Sequence, residues 1–319
     1  MVEYIEDFKW EKGMTMKKFV ERLGSVGYQS IELKKAGECI AKMKREGSKI
    51  FLTFTSNMVT SGLRGFFAQV IQNNLCDICI TTVGGIEEDI MKADGEKFLV
   101  GSFYSDDYEN HERGLNRIGN VYVENQSYMK LEDKLIPILE ELYKKKNRWT
   151  PSEIFREIGL ILNDESSILY QAAKNNIPIF CPAITDGSFG FHLYLFQQKH
   201  PDFVVDVVKD FQNIILVTDY NEKKAVICLG GSISKHHAIL ATLLNGGAEY
   251  AVYMTTAKSS SGSMSGATTQ EAKSWGKIKD DSDAVTVNGD VTVIFPLAMS
   301  YAMELLNEEG LMNDNDTKQ

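Results

Sequence analysis

With 319 residues, 43% of them hydrophobic and 24% charged, the chain is long enough to bury a large core, and its formal net charge of −10 repels nucleic acid and anionic membranes. No apolar run reaches the roughly 18–20 residues of a membrane helix, and Met1-Val-Glu-Tyr-Ile-Glu-Asp7 lacks the basic start and apolar core of a signal peptide, so a cytoplasmic protein is expected. The five cysteines (39, 76, 79, 181 and 228) fall mostly in apolar, strand-like segments and read as small hydrophobes rather than a disulfide framework.

Lysine- and glutamate-rich helices are expected over 15–45, followed by an apolar strand at Lys49-Ile-Phe-Leu-Thr-Phe-Thr55. Gly62-Leu-Arg-Gly-Phe-Phe-Ala-Gln-Val-Ile71 has helical spacing, and Asp77-Ile-Cys-Ile-Thr-Thr82 reads as the next buried strand. Cys76-Asp-Ile-Cys79 has the Cys-x-x-Cys spacing but no second pair, so no metal is expected. Glu87-Glu88-Asp89 follow a glycine turn and read as three acids at a helix start, where the dipole favours carboxylates in any protein.

Leu131, Leu135, Ile138, Leu139 and Leu142 form one helical stripe that ends in Lys144-Lys-Lys146, and Thr150-Pro-Ser-Glu153 opens the next helix with a capping box. Further strands are predicted at 177–180, 214–217, 225–229, 250–254 and 291–295, with helical segments between most of them. Such alternation predicts an α/β fold: a mostly parallel, doubly wound sheet with helices on both faces, Rossmann-like but without Gly-x-Gly-x-x-Gly. No linker marks a boundary, so 1–319 reads as one domain with a short N-terminal helical segment and a disordered tail from Asn313 to Gln319.

Three loops of small polar residues follow strands: Thr55-Ser-Asn-Met-Val-Thr-Ser-Gly62, Thr81-Thr-Val-Gly-Gly85 and Leu229-Gly-Gly-Ser-Ile-Ser234. At the carboxyl ends of parallel strands such loops suit a nucleotide as well as they suit plain tight turns. His236-His237 lacks the partners of a zinc site, leaving a hydrogen-bonding or proton-relay imidazole open. Gly262-Ser-Met-Ser-Gly266 fails as a nucleophile elbow because its centre is Met264. In Glu271-Ala-Lys-Ser-Trp-Gly-Lys-Ile278, the face of Trp275 could exclude water beside Lys277 and favour a neutral, nucleophilic amine; elsewhere Trp-x-Lys is commonly a packed ring and a solvated charge.

Thr55-Ser-Asn57, Thr82-Val-Gly-Gly-Ile-Glu-Glu-Asp89, Asn116-Arg-Ile-Gly-Asn120, Pro182-Ala-Ile-Thr-Asp-Gly-Ser188, Gly230-Gly231 with Lys235-His-His237, Tyr250-Ala-Val-Tyr253, Thr256-Ala257 and Ser274-Trp-Gly-Lys-Ile278 occur in that order across nearly the whole chain. Together they resemble the deoxyhypusine synthase family. The resemblance implies an NAD-dependent transferase that moves the aminobutyl group of spermidine, through an imine on an enzyme lysine, to a lysine of the initiation factor five A precursor. By resemblance the enzyme lysine is Lys277. NAD contacts are implied for Ser56, Asn57, Met58, Val59, Thr60, Thr82, Val83, Gly84, Glu88, Asp186, Gly231, Thr256, Ala257, Asp290 and Val291. Amine contacts are implied for Glu87, Glu88, His236, Gly262, Ser263, Glu271 and Trp275. A homotetramer is implied as well.

The sequence departs from the family pattern where aspartates are usual: Phe191 follows Asp186-Gly-Ser-Phe-Gly190, and Ser261 and Met264 occupy the serine-rich loop. An unpaired ammonium in a desolvated pocket costs on the order of several kcal/mol, so these changes point to altered amine choice. The alternatives are another amine, a small-molecule acceptor as in homospermidine synthesis, or a non-catalytic paralogue.

Overall fold

The computed structural model describes residues 4–312; the tail read as disordered lies outside the described residues. Its main strands are β1 (Lys49–Thr53), β2 (Ile78–Ile80), β3 (Ile179–Phe180), β4 (Lys224–Leu229), β5 (Ala248–Thr255) and β6 (Ile278–Asn288). The helices that shape the site are α1 (Gln29–Arg45), α2 (Val83–Ala93), α3 (Asn125–Lys145), α4 (Ser188–Lys199), α5 (Ser232–Leu244), α6 (Thr269–Ser274) and α7 (Val291–Glu308). The described residues group into two compact units of interleaved segments. The first comprises 4–54, 75–78 and 215–312, and the second Thr55–Asn74 and Cys79–Ile214.

In the first unit the strands run in the order β6-β5-β4-β1, all parallel, with Ile50 opposite Ala225, Ala225 opposite Tyr250 and Ala251 opposite Ala284. Successive side chains of a strand point to opposite faces, so the continuous burial of β4, and of β5 from Tyr250 to Thr255, means that both faces are covered. Helices α1 and α7 pack on β5, and α5 packs on β4 and β1. The α1–α7 contact is tight because Gly37 has no side chain: a Cβ there would lie 2.7 Å from Tyr301 Cδ1 and 2.8 Å from the Ala298 carbonyl. Asp77 prepares the next strand, its carboxylate accepting the Ile50 N–H at 2.8 Å while its own N–H donates to the Ile50 carbonyl at 2.9 Å.

Two predicted strands are helical instead. Residues 291–295 form the first turns of α7, whose start is fixed by the Asp290 carboxylate accepting the Thr292 N–H at 2.8 Å. The β-branched run is the beginning of a longer buried stripe, Val291, Phe295, Ala298, Ala302 and Leu306, and that 3.6-residue period overrides local strand preference. Residues 214–216 close the helix Val207–Leu216, with Val217 in the turn after it, and the helix begins where Asp206 accepts the Lys209 N–H at 2.8 Å. Conversely β6 reads poorly as a strand: it lies at the end of the strand order, and its Asp280, Asp281 and Asp283 are exposed.

In the second unit β3 pairs in parallel with the last two residues of β2, Cys79 opposite Ile179 and Ile80 opposite Phe180. A small antiparallel sheet of Leu99–Val100, Leu115–Ile118 and Val121–Glu124 precedes α3. Helix α2 starts at Val83, so Glu87, Glu88 and Asp89 are past its first turn and all three are buried, not solvated acids at a helix start. Asp89 is a structural anchor. It accepts from Arg64 Nε at 2.5 Å, Ser167 Oγ at 2.9 Å, and the N–H groups of Ile168 at 3.2 Å and Leu169 at 2.8 Å. No helix among the described residues is long and apolar enough to cross a membrane.

Candidate active site

The sequence-predicted residues fall into two clusters, one in each unit. In the first unit, β4 is followed by Gly230, whose φ of +78° lies in the left-handed region open to glycine, and Gly231 leads into α5. The turn must be bare because the serine-rich loop crosses it: a Cβ on Gly231 would lie 2.2 Å from Ser265 Oγ, which accepts the Ser232 N–H at 3.0 Å. In that loop Gly262 and Ser263 are exposed, and the hydroxyls of Ser261 and Ser263 lie 2.9 Å apart.

Lys277 is placed by its backbone. Thr268 caps α6, accepting the Glu271 N–H at 3.3 Å, and Gly276 at φ +68° turns the chain from α6 into β6. The Lys277 N–H donates to the Ala272 carbonyl at 3.1 Å, and the Lys277 carbonyl accepts from Ala248 N at 3.1 Å and Thr242 Oγ1 at 3.3 Å. The side chain is only 5% exposed and its Nζ stands 5.0 Å from the centre of the Trp275 ring. Burial holds this amine below the ordinary lysine range, against the opposing pull of Glu271. A small cavity receives it, lined by Lys235, Tyr253, Met264, Glu271, Trp275 and Lys277.

His236, on α5, is pushed below the usual imidazole range by desolvation and by Lys277; His237 falls to about 4, through burial and then His236. Neither is a cation at neutral pH. Beyond β5, Thr256 is exposed and Ala257 half-buried, its N–H donating to Thr255 Oγ1 at 3.0 Å; Asp290 caps α7 and Val291 is buried.

In the second unit the Thr55–Gly62 loop and the start of α2 pack closely. Thr82 Oγ1 accepts the Ser56 N–H at 2.9 Å, and a Cβ on Gly84 would lie 3.0 Å from Ser56 Cβ. Ser56 is half-buried, Asn57 exposed, and Met58, Val59 and Thr60 are buried. Thr60 Oγ1 lies 2.7 Å from both oxygens of Glu88, so its hydroxyl donates to one at a time. Burial pushes the Glu88 carboxyl up to about 7, with Thr60 and then Lys92 opposing the rise. Lys92 donates to the Val59 carbonyl at 2.6 Å and caps the Phe98 ring at 4.4 Å. Glu87 is also raised by burial, opposed by the N–H groups of Phe189 and Ser188. Neither glutamate forms an ion pair among the described residues. Asp186 is exposed, and Phe191 presents an exposed ring 6.4 Å from that of Tyr194.

Three residues of these clusters escape sequence reasoning. Lys235 is fully buried on α5, its Nζ donating to the Ala267 carbonyl at 2.8 Å and standing 4.1 Å above the Tyr253 ring. Its sequence signals are the Lys235-His-His237 segment and helical spacing with the buried Ala238, Ile239 and Thr242, and neither assigns it a role. Burial, and then Glu88 and Glu87, raise the phenol of Tyr128 on α3 above the ordinary range. Lys92 reads as a plain surface lysine near a helix end.

Parallel strands covered by helices define an α/β protein, and the turns that follow them carry hydroxyls and bare glycines. The family model for deoxyhypusine synthase matches residues 18–302, and the chain belongs to the deoxyhypusine synthase family, a family of transferases. It is 40% identical over 298 residues to a protein of Thermoplasma volcanium named "probable deoxyhypusine synthase", covering 93% of this chain and 96% of that one. It is 43% identical over 268 residues to the deoxyhypusine synthase of Senecio vernalis, covering 82% of this chain and 72% of the relative. A solved structure from Entamoeba histolytica, named for the same enzyme, matches with a TM-score of 0.68 at 27% identity, covering 94% of this chain and 97% of that one.

Proposed function

We propose that the protein is an NAD-dependent aminobutyl transferase that carries the butylamine group of spermidine, or a related amine, on Lys277. The observation that carries this reading is the state of Lys277: buried, clamped through its backbone, and held below the ordinary range of an amine. An ammonium has no lone pair, so a lysine meant to attack an imine carbon must shed its proton before the step.

The start of α2 in the second unit supports a phosphate-bearing cofactor such as a dinucleotide. No side chain caps the first turn of α2, leaving backbone N–H groups at a helix start where a phosphate binds, and the bare Gly84 sits at that start. Thr60 and the hydroxyls of Ser56 and Thr82 add polar contacts in the second unit. When bound, NAD would take a hydride from the carbon beside the secondary amine of spermidine and return it at the end of the cycle. Lys277 Nζ then attacks the imine carbon, 1,3-diaminopropane leaves, and the aminobutyl group stays on Lys277 as an imine. A lysine of the initiation factor five A precursor attacks that carbon next and frees Lys277. His236, uncharged at neutral pH, can exchange a proton beside Lys277 without repelling a substrate ammonium. Buried Glu88 gains a counter-charge when an amine arrives, and the chain's net charge of −10 attracts a polycation.

One observation favours a different amine: Phe191 is apolar, and Met264 lines the Lys277 cavity without charge. We therefore expect an enzyme whose amine choice is set partly by these side chains, and a homotetramer only as the family resemblance implies it. The deciding experiment is incubation of the pure protein with NAD and labelled spermidine, borohydride trapping and peptide mapping, with and without the factor precursor. Label on Lys277 that moves to the factor supports the proposal in full. Label from another amine alone redirects the substrate, and no adduct with any polyamine overturns the proposal.

A further inference from the structure

Helix α4 begins after Gly187 and has no side-chain cap of its own. The donors of a helix's first turn need an acceptor, and here the acceptor comes from a different helix. Glu87, on α2, reaches across the second unit so that its Oε1 accepts the Phe189 N–H at 2.7 Å, with the Ser188 N–H also turned toward the carboxylate. Glu87 is 5% exposed and stands against the positive end of the α4 dipole.

Gly187 records the same contact from the other side. Its backbone is extended, a conformation open to any residue, yet a Cβ there would lie 2.6 Å from Glu87 Oε1 and 2.7 Å from Val83 Cγ1. Glycine is therefore required by the approach of the carboxylate and not by the turn. What this contact fixes is the segment Asp186–Phe191, which carries one expected cofactor contact and the ring that stands where the family pattern has an acid.

The geometry points to Glu87 as a positioning residue: its carboxylate serves as the N-terminal cap of α4 and holds the Asp186-to-Phe191 turn, instead of gripping the substrate amine as the family resemblance implies. This rests on the proposed function only for the meaning of that turn; the cap itself can be tested without cofactor or substrate. Capping needs reach and a lone pair, whereas anchoring an ammonium needs a negative charge. Glu87→Gln keeps the reach and loses the charge, and Glu87→Asp keeps the charge and loses the reach, so the two roles predict opposite rankings.

The readout is amide hydrogen exchange of the full chain, without ligand, followed at Phe189. In Glu87→Asp the Phe189 amide is expected to exchange about tenfold faster than in the parent, and in Glu87→Gln within about threefold of it. NAD affinity, measured by calorimetry, is expected to follow the same order, with Glu87→Gln near the parent and Glu87→Asp weaker. Faster exchange in Glu87→Gln than in Glu87→Asp overturns the proposal. So does a Glu87→Gln variant with a protected Phe189 amide and a more than tenfold loss of spermidine affinity, since charge would then be what matters. If either variant fails to fold, Gly187→Ala, which drives its Cβ into the carboxylate, must expose the Phe189 amide; unchanged protection there also overturns it. Because exchange needs no turnover, an inactive parent protein would refute the proposed function and leave this inference standing.

Discussion

Asp89, inside α2, and Lys277, just before β6, are both buried ionisable side chains, and their surroundings are built in opposite ways. Asp89 is surrounded by partners: a guanidinium, a hydroxyl and two backbone N–H groups, with Asp164 holding the far side of Arg64 at 2.6 Å. Lys277 has its backbone bonded and its Nζ facing a ring. Burial raises the Asp89 carboxyl as well, opposed by Arg64, the Leu169 N–H and Ser167, so what its partners supply is a fixed place in the structure, whereas an amine with few partners is left free to react. Glu88, one residue before Asp89 on the same helix, belongs with Lys277 in this respect: a single hydroxyl serves both its oxygens.

The comparison predicts opposite consequences of deletion. Lys277→Met should abolish the borohydride-trapped adduct, a loss of roughly a thousandfold or more, while raising the thermal midpoint, because removing a buried amine removes a desolvation penalty. Peptide mapping and calorimetry on one preparation test both halves; a lowered midpoint would mean that Lys277 is structural. Asp89→Ala should do the reverse, costing about 3–5 kcal/mol in urea unfolding because Arg64 is left buried without its main counter-charge. A loss below about 1 kcal/mol would place Asp89 in the same class as Glu88.

Much of the fold was legible because β1, β2, β4 and β5 are short apolar runs closed by glycines or hydroxyls, as buried parallel strands must be. The errors have one cause: at 214–217 and 291–295 the apolar run is shorter than the helical stripe it belongs to, so a local window sees a strand where the wider period is helical. The acids of α2 show the same limit. Sequence placed them at a helix start, yet whether a carboxylate is saturated like Asp89 or sparsely partnered like Glu88 depends on Arg64, Ser167 and Thr60, none adjacent in the chain. Lys277 became legible through the family motif around Trp275; Lys235 lies in the family segment with His236 and His237, but its burial needed the packing of α5 on β4 and β1.

Glu88 offers the finest test, through pH. Its folded carboxyl titrates at about 7 against an ordinary 4.5, so between those values the unfolded chain gives up a proton that the native state keeps. Stability contributed by this group is therefore undiminished below pH 4.5 and falls as pH rises toward 7, by about 3 kcal/mol in all. Glu88→Gln, whose amide oxygen can still accept from Thr60, should flatten that part of the profile and be the more stable protein at pH 8 by a similar amount. Urea unfolding at pH 5 and pH 8 checks it, and parallel profiles for parent and variant would show that Glu88 titrates normally. Removing the one hydroxyl that opposes the rise, by Thr60→Val, should have a smaller effect in the other direction, about 1 kcal/mol lost at pH 8, where the carboxylate needs its donor, and less at pH 5, where the protonated acid needs it less. An equal loss at both pH values would mean that Thr60 supports packing alone, and Glu88 would then have to be grouped with the satisfied charges.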